Sequence, residues 1–171
     1  MSKKLLVVVD TQVDFFTGPL GNPECLAIIP HIVKKINTFD GTVVCTMDTH
    51  ADDYLETQEG KNLPIIHCLK DTPGWMLIPE LQGIQMSKSF YKSTFGSIEL
   101  AQWIKENGYT EVVLIGVCTD ICVISNAFVI KAVNPEVKIT VDAACCAGLT
   151  PEKHRAALDV MQSCQVNVIG A

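Results

Sequence analysis

Apolar residues along this chain fall into short runs divided by polar, glycine- and proline-marked breaks. Leu5–Val9 is an unbroken apolar run rich in valine. So short and branched a run reads as a strand buried on both faces. Ile28, Ile32, Val33 and Ile36 recur at helical spacing and predict a helix over Ala27–Phe39, stopped by Gly41. Thr42–Met47 reads as a second strand and the segment around Gln85–Ser87 as a third. Ile98–Asn107 is a helical pattern with Ser97 placed as its cap and Gly108 at its stop. Val112–Val117 is again a buried strand, Thr119–Val133 an apolar helix, and Val137–Val141 a strand ending at Asp142. Pro151, after Thr150 as cap, opens a helix running to about Cys164, and Val166–Ile169 is a last strand.

Strands alternating with helices predict an α/β fold: a three-layer α/β/α arrangement around a mainly parallel, six-stranded, Rossmann-like sheet. The 171 residues suit a single domain over 1–171, and no repeat or linker divides them. The stretch from Asp48 to about Ile84 breaks the alternation with three prolines, several acids and one of its histidines in each half. A connection of that length inside a compact domain is usually functional.

Charge narrows the range of partners. With 13 basic against 19 acidic side chains the net charge is −6, and no Lys/Arg cluster offers a face for nucleic acid or an anionic membrane surface. No apolar run is long enough for a membrane span. Met1–Val9 has too short an apolar part for a signal peptide and reads as a first strand, so a cytoplasmic location is expected. Eight cysteines without a C-x-x-C pair argue against both a disulfide framework and a zinc ribbon. There is neither a phosphate-binding glycine loop nor a second Asp two residues after Asp10, which leaves phosphoryl transfer unsupported.

Reactive residue types collect where strands end. Asp10 closes the first strand; Asp48 closes the second, with His50 two residues on. Lys88 and Lys92 follow the third, and Cys118, Asp120 and Cys122 follow the fourth. In open α/β sheets ligands bind beyond the carboxyl ends of the strands. Cys122 falls in the expected first turn of a helix, where the positive end of the helix dipole favours a thiolate, and Asp10 or Asp120 could act as its base. The residues alone leave Cys122 equally readable as a small buried residue. Asp48, His50 and the later His67 form a donor set suited to Zn²⁺, Fe²⁺ or Mn²⁺. His31 and His154 lie on helices and read as solvent-facing.

Together these residues resemble the isochorismatase-like cysteine hydrolases, and within them the nicotinamidases, over almost the whole chain. Val7-Val8-Val9-Asp10-Thr11-Gln12-Val13-Asp14-Phe15 is similar to the family's opening motif, Lys92-Ser93-Thr94-Phe95-Gly96-Ser97 to its lysine segment, and Gly116-Val117-Cys118-Thr119-Asp120-Ile121-Cys122-Val123 to its nucleophile motif. The resemblance implies a catalytic triad of Asp10, Lys92 and Cys122, with Lys88 a fallback for the lysine. It implies an oxyanion hole from the backbone N–H groups of Cys118 and Cys122, behind a cis peptide between Val117 and Cys118. It also implies one divalent metal, zinc or else iron or manganese, on Asp48, His50 and His67, with Glu59, or Glu56 behind it, as a fourth ligand. The implied reaction is hydrolysis of nicotinamide to nicotinate and ammonia through a Cys122 thioester, in NAD salvage. The alternative is another small amide or carbamoyl substrate. Such enzymes often self-associate, so a homo-oligomer is expected. One departure stands out: Leu63-Pro64-Ile65-Ile66-His67 lacks the aromatic that usually precedes the last histidine to sandwich the pyridine ring against the residue at Phe15. Trp75 is the substitute the sequence offers.

Overall fold

The computed structural model describes residues 2–171. Six strands form one sheet: β1 (Lys4–Val9), β2 (Thr42–Asp48), β3 (Ser89–Lys92), β4 (Glu111–Val117), β5 (Lys138–Ala147) and β6 (Asn167–Ile169). Their spatial order is β3-β2-β1-β4-β5-β6, and every neighbouring pair is parallel. The helices are α1 (Pro23–Ala27), α2 (Ile29–Thr38), α3 (Gln58–Asn62), α4 (Ile98–Glu106), α5 (Ile124–Val133) and α6 (Pro151–Ser163).

Side chains of β1 divide between two cores. Leu5, Val7 and Val9 point into a cluster with Leu100, Ile104, Ile130 and Met161 from α4, α5 and α6. Leu6 and Val8 point into the other, with Cys25, Ile32 and Ile36 from α1 and α2. The two-residue period of a strand therefore divides an unbroken apolar run between opposite faces. Chain order reverses between β1 and β4, and this switch point is where such sheets open a crevice.

Four boundaries differ from the sequence expectation. The first helix is two, because Pro30 lacks the N–H that would bond to Leu26 and its ring crowds that carbonyl. The third strand is Ser89–Lys92 rather than Gln85–Ser87, so Lys92 ends it, paired with Asp48. β5 continues to Ala147 through an irregularity opposite Leu114–Gly116, so Asp142 lies inside the strand rather than at its end. Its carboxylate pairs with Lys35 at 2.7 Å, outside any strand-end cleft. Residues 119–123 form a π-turn rather than the start of an α-helix, with the Val123 N–H donating to Cys118 O at 3.1 Å. Gly116, beside the irregularity, has φ +115°, and a Cβ there would collide with the Val9 carbonyl. The caps expected at Ser97 and Thr150 are present, accepting from Leu100 N–H and Lys153 N–H.

Candidate active site

Asp10 follows β1 in a left-handed backbone conformation, φ +48°, that Asp tolerates better than most residues. It is fully buried. Its Oδ1 accepts from Thr46 Oγ1 at 2.7 Å, and its Oδ2 lies 2.6 Å from Lys92 Nζ without a well-directed hydrogen-bond donor. Lys92 Nζ donates to Thr94 O at 3.0 Å and to Cys122 Sγ at 3.5 Å. Asp10, Lys92 and Cys122 thus converge from the ends of β1 and β3 and the turn after β4. Lys88, the fallback, pairs instead with Glu99 at 3.0 Å and rests over the Phe90 ring. Asp120 accepts from Leu149 N–H at 3.0 Å.

Burial raises the Asp10 carboxyl, more than the Lys92 charge lowers it. Lys92 loses solvation in the same place, but the carboxylates of Asp10 and Asp48 beside it hold it firmly protonated. Burial, then the Asp10 charge, pushes the Cys122 thiol well above its ordinary value. The resting group is therefore a thiol, contrary to the dipole-favoured thiolate expected from an α-helical first turn, and its activation needs a base. The Val117–Cys118 peptide is cis, and the Cys118 N–H has no acceptor among the described residues.

Across the cleft Asp48, His50, Glu59 and His67 each aim one donor atom at a common point, all within 4.8 Å of one another. Asp48 Oδ2 lies 2.9 Å from His50 Nε2 and 3.3 Å from His67 Nε2, and Glu59 Oε1 is 3.8 Å from both imidazoles. Ligand atoms ~2.0–2.2 Å from a tetrahedral ion would sit roughly 3.3–3.6 Å apart, so this spacing fits with little adjustment. His67 Nδ1 is 2.7 Å from Ile65 O, which keeps the proton on Nδ1 and turns the Nε2 lone pair inward. Two carboxylates and two imidazoles held together suit a divalent transition cation. Glu56 lies outside this group.

Several supports of this geometry carried no sequence signal beyond motif membership. Gln12 grips both sides of the Asp48 backbone, accepting from its N–H at 2.8 Å and donating to its carbonyl at 2.7 Å. Asp14 Oδ2 accepts from Cys68 N–H at 2.7 Å, anchoring the residue after His67. Buried Asn126 donates to Cys122 O at 2.8 Å and Phe95 O at 3.2 Å and accepts from Ser97 N–H at 3.0 Å, tying the cysteine turn to the lysine segment. His154, expected to face solvent, is half-buried and shares a 2.8 Å hydrogen bond with Thr119 Oγ1; His31 is exposed.

Between the two clusters lies a cavity of about 120 Å³, reached by Cys118, Cys122, Asp48 and His67. Its apolar walls are Phe15, Leu20, Leu63, Phe95, Ile121 and Leu149. Phe15 packs edge-on against His67, with centroids 5.7 Å apart. Trp75 does not line this cavity. It stacks on Tyr91 and donates from Nε1 to Thr49 Oγ1 at 2.8 Å, and Leu63 occupies the wall ahead of His67.

The isochorismatase domain model matches residues 4–171. The chain belongs to the isochorismatase family. It is 25% identical over 186 residues to a nicotinamidase/pyrazinamidase of Mycobacterium tuberculosis, covering 97% of this chain and 98% of that one. It is 31% identical over 173 residues to an isochorismatase family protein of Bacillus subtilis, covering 91% and 92%. Among solved structures it is similar to the pyrazinamidase of Pyrococcus horikoshii in complex with zinc, with TM-score 0.83, 25% identity and 99% of each chain covered. This isochorismatase-family hydrolase has, among its described residues, no helix long and apolar enough to cross a membrane.

Proposed function

We propose that the protein hydrolyses nicotinamide to nicotinate and ammonia through a thioester on Cys122, feeding NAD salvage. One observation carries this reading: an Asp–Lys–Cys cluster and an Asp–His–Glu–His cluster, with Lys92 Nζ 3.7 Å from Asp48 Oδ1, meet at a cavity of about 120 Å³ that Cys122 and three of the second cluster line. As the Cys122 sulfur attacks the amide carbon, Asp10 takes the thiol proton. Lys92, near both groups, balances their shared negative charge. The carbonyl oxygen becomes an oxyanion that accepts from the N–H groups of Cys118 and Cys122; a preformed donor of this kind is worth roughly 3–4 kcal/mol in the transition state. Asp10 then returns its proton to the leaving ammonia, and afterwards deprotonates the water that cleaves the thioester. Asp48, His50, Glu59 and His67 would hold the divalent metal, which when bound supplies a Lewis-acidic anchor for the ring nitrogen. Phe15 and the aliphatic walls pack the ring and exclude water.

Leu63 in place of an aromatic favours a second reading, in which the same chemistry acts on a different small amide or carbamoyl compound. The deciding assay is ammonia release from nicotinamide by metal-loaded and chelated protein, with Cys122→Ala as control. Metal-dependent release that the substitution abolishes is expected. No release from folded, metal-loaded protein would remove nicotinamide as substrate.

A further inference from the structure

The cavity over Cys122 shares one side with a neighbouring groove. Leu63, Phe95, Ile121 and Glu59 form its rim, and the same four residues are the inner wall of a second, outer groove of about 860 Å³. A ring amide bound at the thiol would fill the inner space and leave the groove empty. Small-molecule sites usually occupy ~300–1,000 Å³, so the outer groove alone is large enough to be part of one.

Its lining specifies what it can take. The half-exposed Phe95 ring provides apolar area, with the buried Tyr54 ring packed behind the wall. Ser93, Thr94 and Gln58 line it, and their side chains have no hydrogen-bond partner among the described residues. Asp53 brings negative charge that no metal ligation offsets, and no Lys or Arg lines the groove. Hydroxyl groups are satisfied by this mixture of carboxylate, amide, hydroxyl and aromatic face, whereas a phosphate or carboxylate would meet like charge without a counter-ion.

The inner site fixes where such a group must be attached. Asp10, the group that would protonate the leaving nitrogen, is fully buried at the floor. The amide nitrogen therefore faces the protein interior, where a substituent on it has no room. With the ring nitrogen directed to the Asp48–His67 cluster, the ring carbon meta to both nitrogen and amide points away from both clusters. We propose that this enzyme's substrate is a primary ring amide bearing an uncharged, hydroxylated substituent on that carbon, with the substituent seated in the outer groove between Phe95 and the 53–58 segment. The proposal rests on the Cys122 amidase reading.

The test compares nicotinamide with its 5-hydroxymethyl, 5-carboxy and N-(2-hydroxyethyl) derivatives on the metal-loaded protein. The 5-hydroxymethyl amide is expected to match or exceed nicotinamide in kcat/KM, since one added hydrogen bond gains a few-fold to about tenfold. The 5-carboxy amide is expected to fall at least about tenfold through charge repulsion. The N-substituted amide should fall about 100-fold from misplacement at the thiol. Asn62→Trp, on the outer wall of the groove, should cut kcat/KM for the 5-hydroxymethyl amide about tenfold and leave nicotinamide within twofold. Calorimetry on Cys122→Ala should give the 5-hydroxymethyl amide a Kd at or below that of nicotinamide. Turnover of nicotinamide with loss of every 5-substituted amide would overturn the groove proposal alone. Preferential turnover of the N-substituted amide would overturn the orientation behind it. Failure of all four amides would overturn the amidase reading itself.

Discussion

The two sides of the cleft are built differently. Asp10 and Lys92 end adjacent-but-one strands of the sheet, and Cys122 sits one turn beyond a third, so their separation is set by strand spacing and register. On the other side only Asp48 belongs to a strand. His50, Glu59 and His67 lie on the long connection after β2, held by individual bonds: His50 N–H to Cys68 O at 3.0 Å, Lys70 N–H to His50 O at 2.9 Å, and the Thr57 side chain capping α3 beneath Glu59. A cluster positioned by a sheet is rigid before any ligand arrives. A cluster positioned by a loop needs what it binds to bring its like charges together: burial and the Asp48 charge both push the Glu59 carboxyl upward.

The largest test of this contrast is Cys122→Ala. It should abolish ammonia release by about 10⁴-fold or more while the protein keeps its melting temperature within a few degrees, because the sulfur is chemistry rather than support. Asp10→Asn should slow turnover about 10²–10⁴-fold, and unlike the cysteine change it should also destabilise the fold by roughly 1–3 kcal/mol, read by denaturant unfolding, since it takes the nearer carboxylate from buried Lys92 and leaves only Asp48, 3.7 Å away. On the loop side, His67→Ala or chelation should remove the bound metal, read by metal analysis. Chelation should lower the melting temperature of the wild-type protein, since an ion bound only by the folded state stabilises it by about 2.7 kcal/mol at 100 times its Kd. If metal removal left the melting point unchanged and a sheet-side variant lowered it, the contrast would hold only for the sheet. Gln12→Ala, which frees the Asp48 backbone, should weaken metal affinity about 10–100-fold with the sheet side intact. Asn126→Asp should give the smallest effect, about tenfold in kcat with little change in KM, by loosening Cys122 against the lysine segment.

How far each side could be read beforehand follows the same division. The run Leu5–Val9 and the alternation after it were enough to anticipate a parallel sheet, and Asp10 could be placed at a strand end because the apolar run stops there. Lys92 was recognised by its motif, yet its strand was displaced by several residues: β3 is a four-residue edge strand with a mixed burial pattern, so periodicity is weak there. Asp142 looked like a strand-end acid only because the irregularity in β5 has no local signature. Glu59 and Glu56 were not separable by spacing; the short α3, capped by Thr57, turns only the former toward the histidines. Trp75 seemed able to replace a missing ring, but its indole found Tyr91 and Thr49, and Leu63 was left at the wall.

The sequence by itself determined the strand–helix alternation, the acidic surface and the chemical inventory of acid, amine, thiol and imidazole, because these depend on residue type and on local periodicity. Only the tertiary structure decided which of them meet. The protonated state of Cys122, the grip of Gln12 on Asp48, the choice of Glu59, and the outer groove beyond Phe95 all arise from burial and from contacts between residues distant in the chain. Those contacts depend on sheet register and loop closure, which no short stretch of sequence contains.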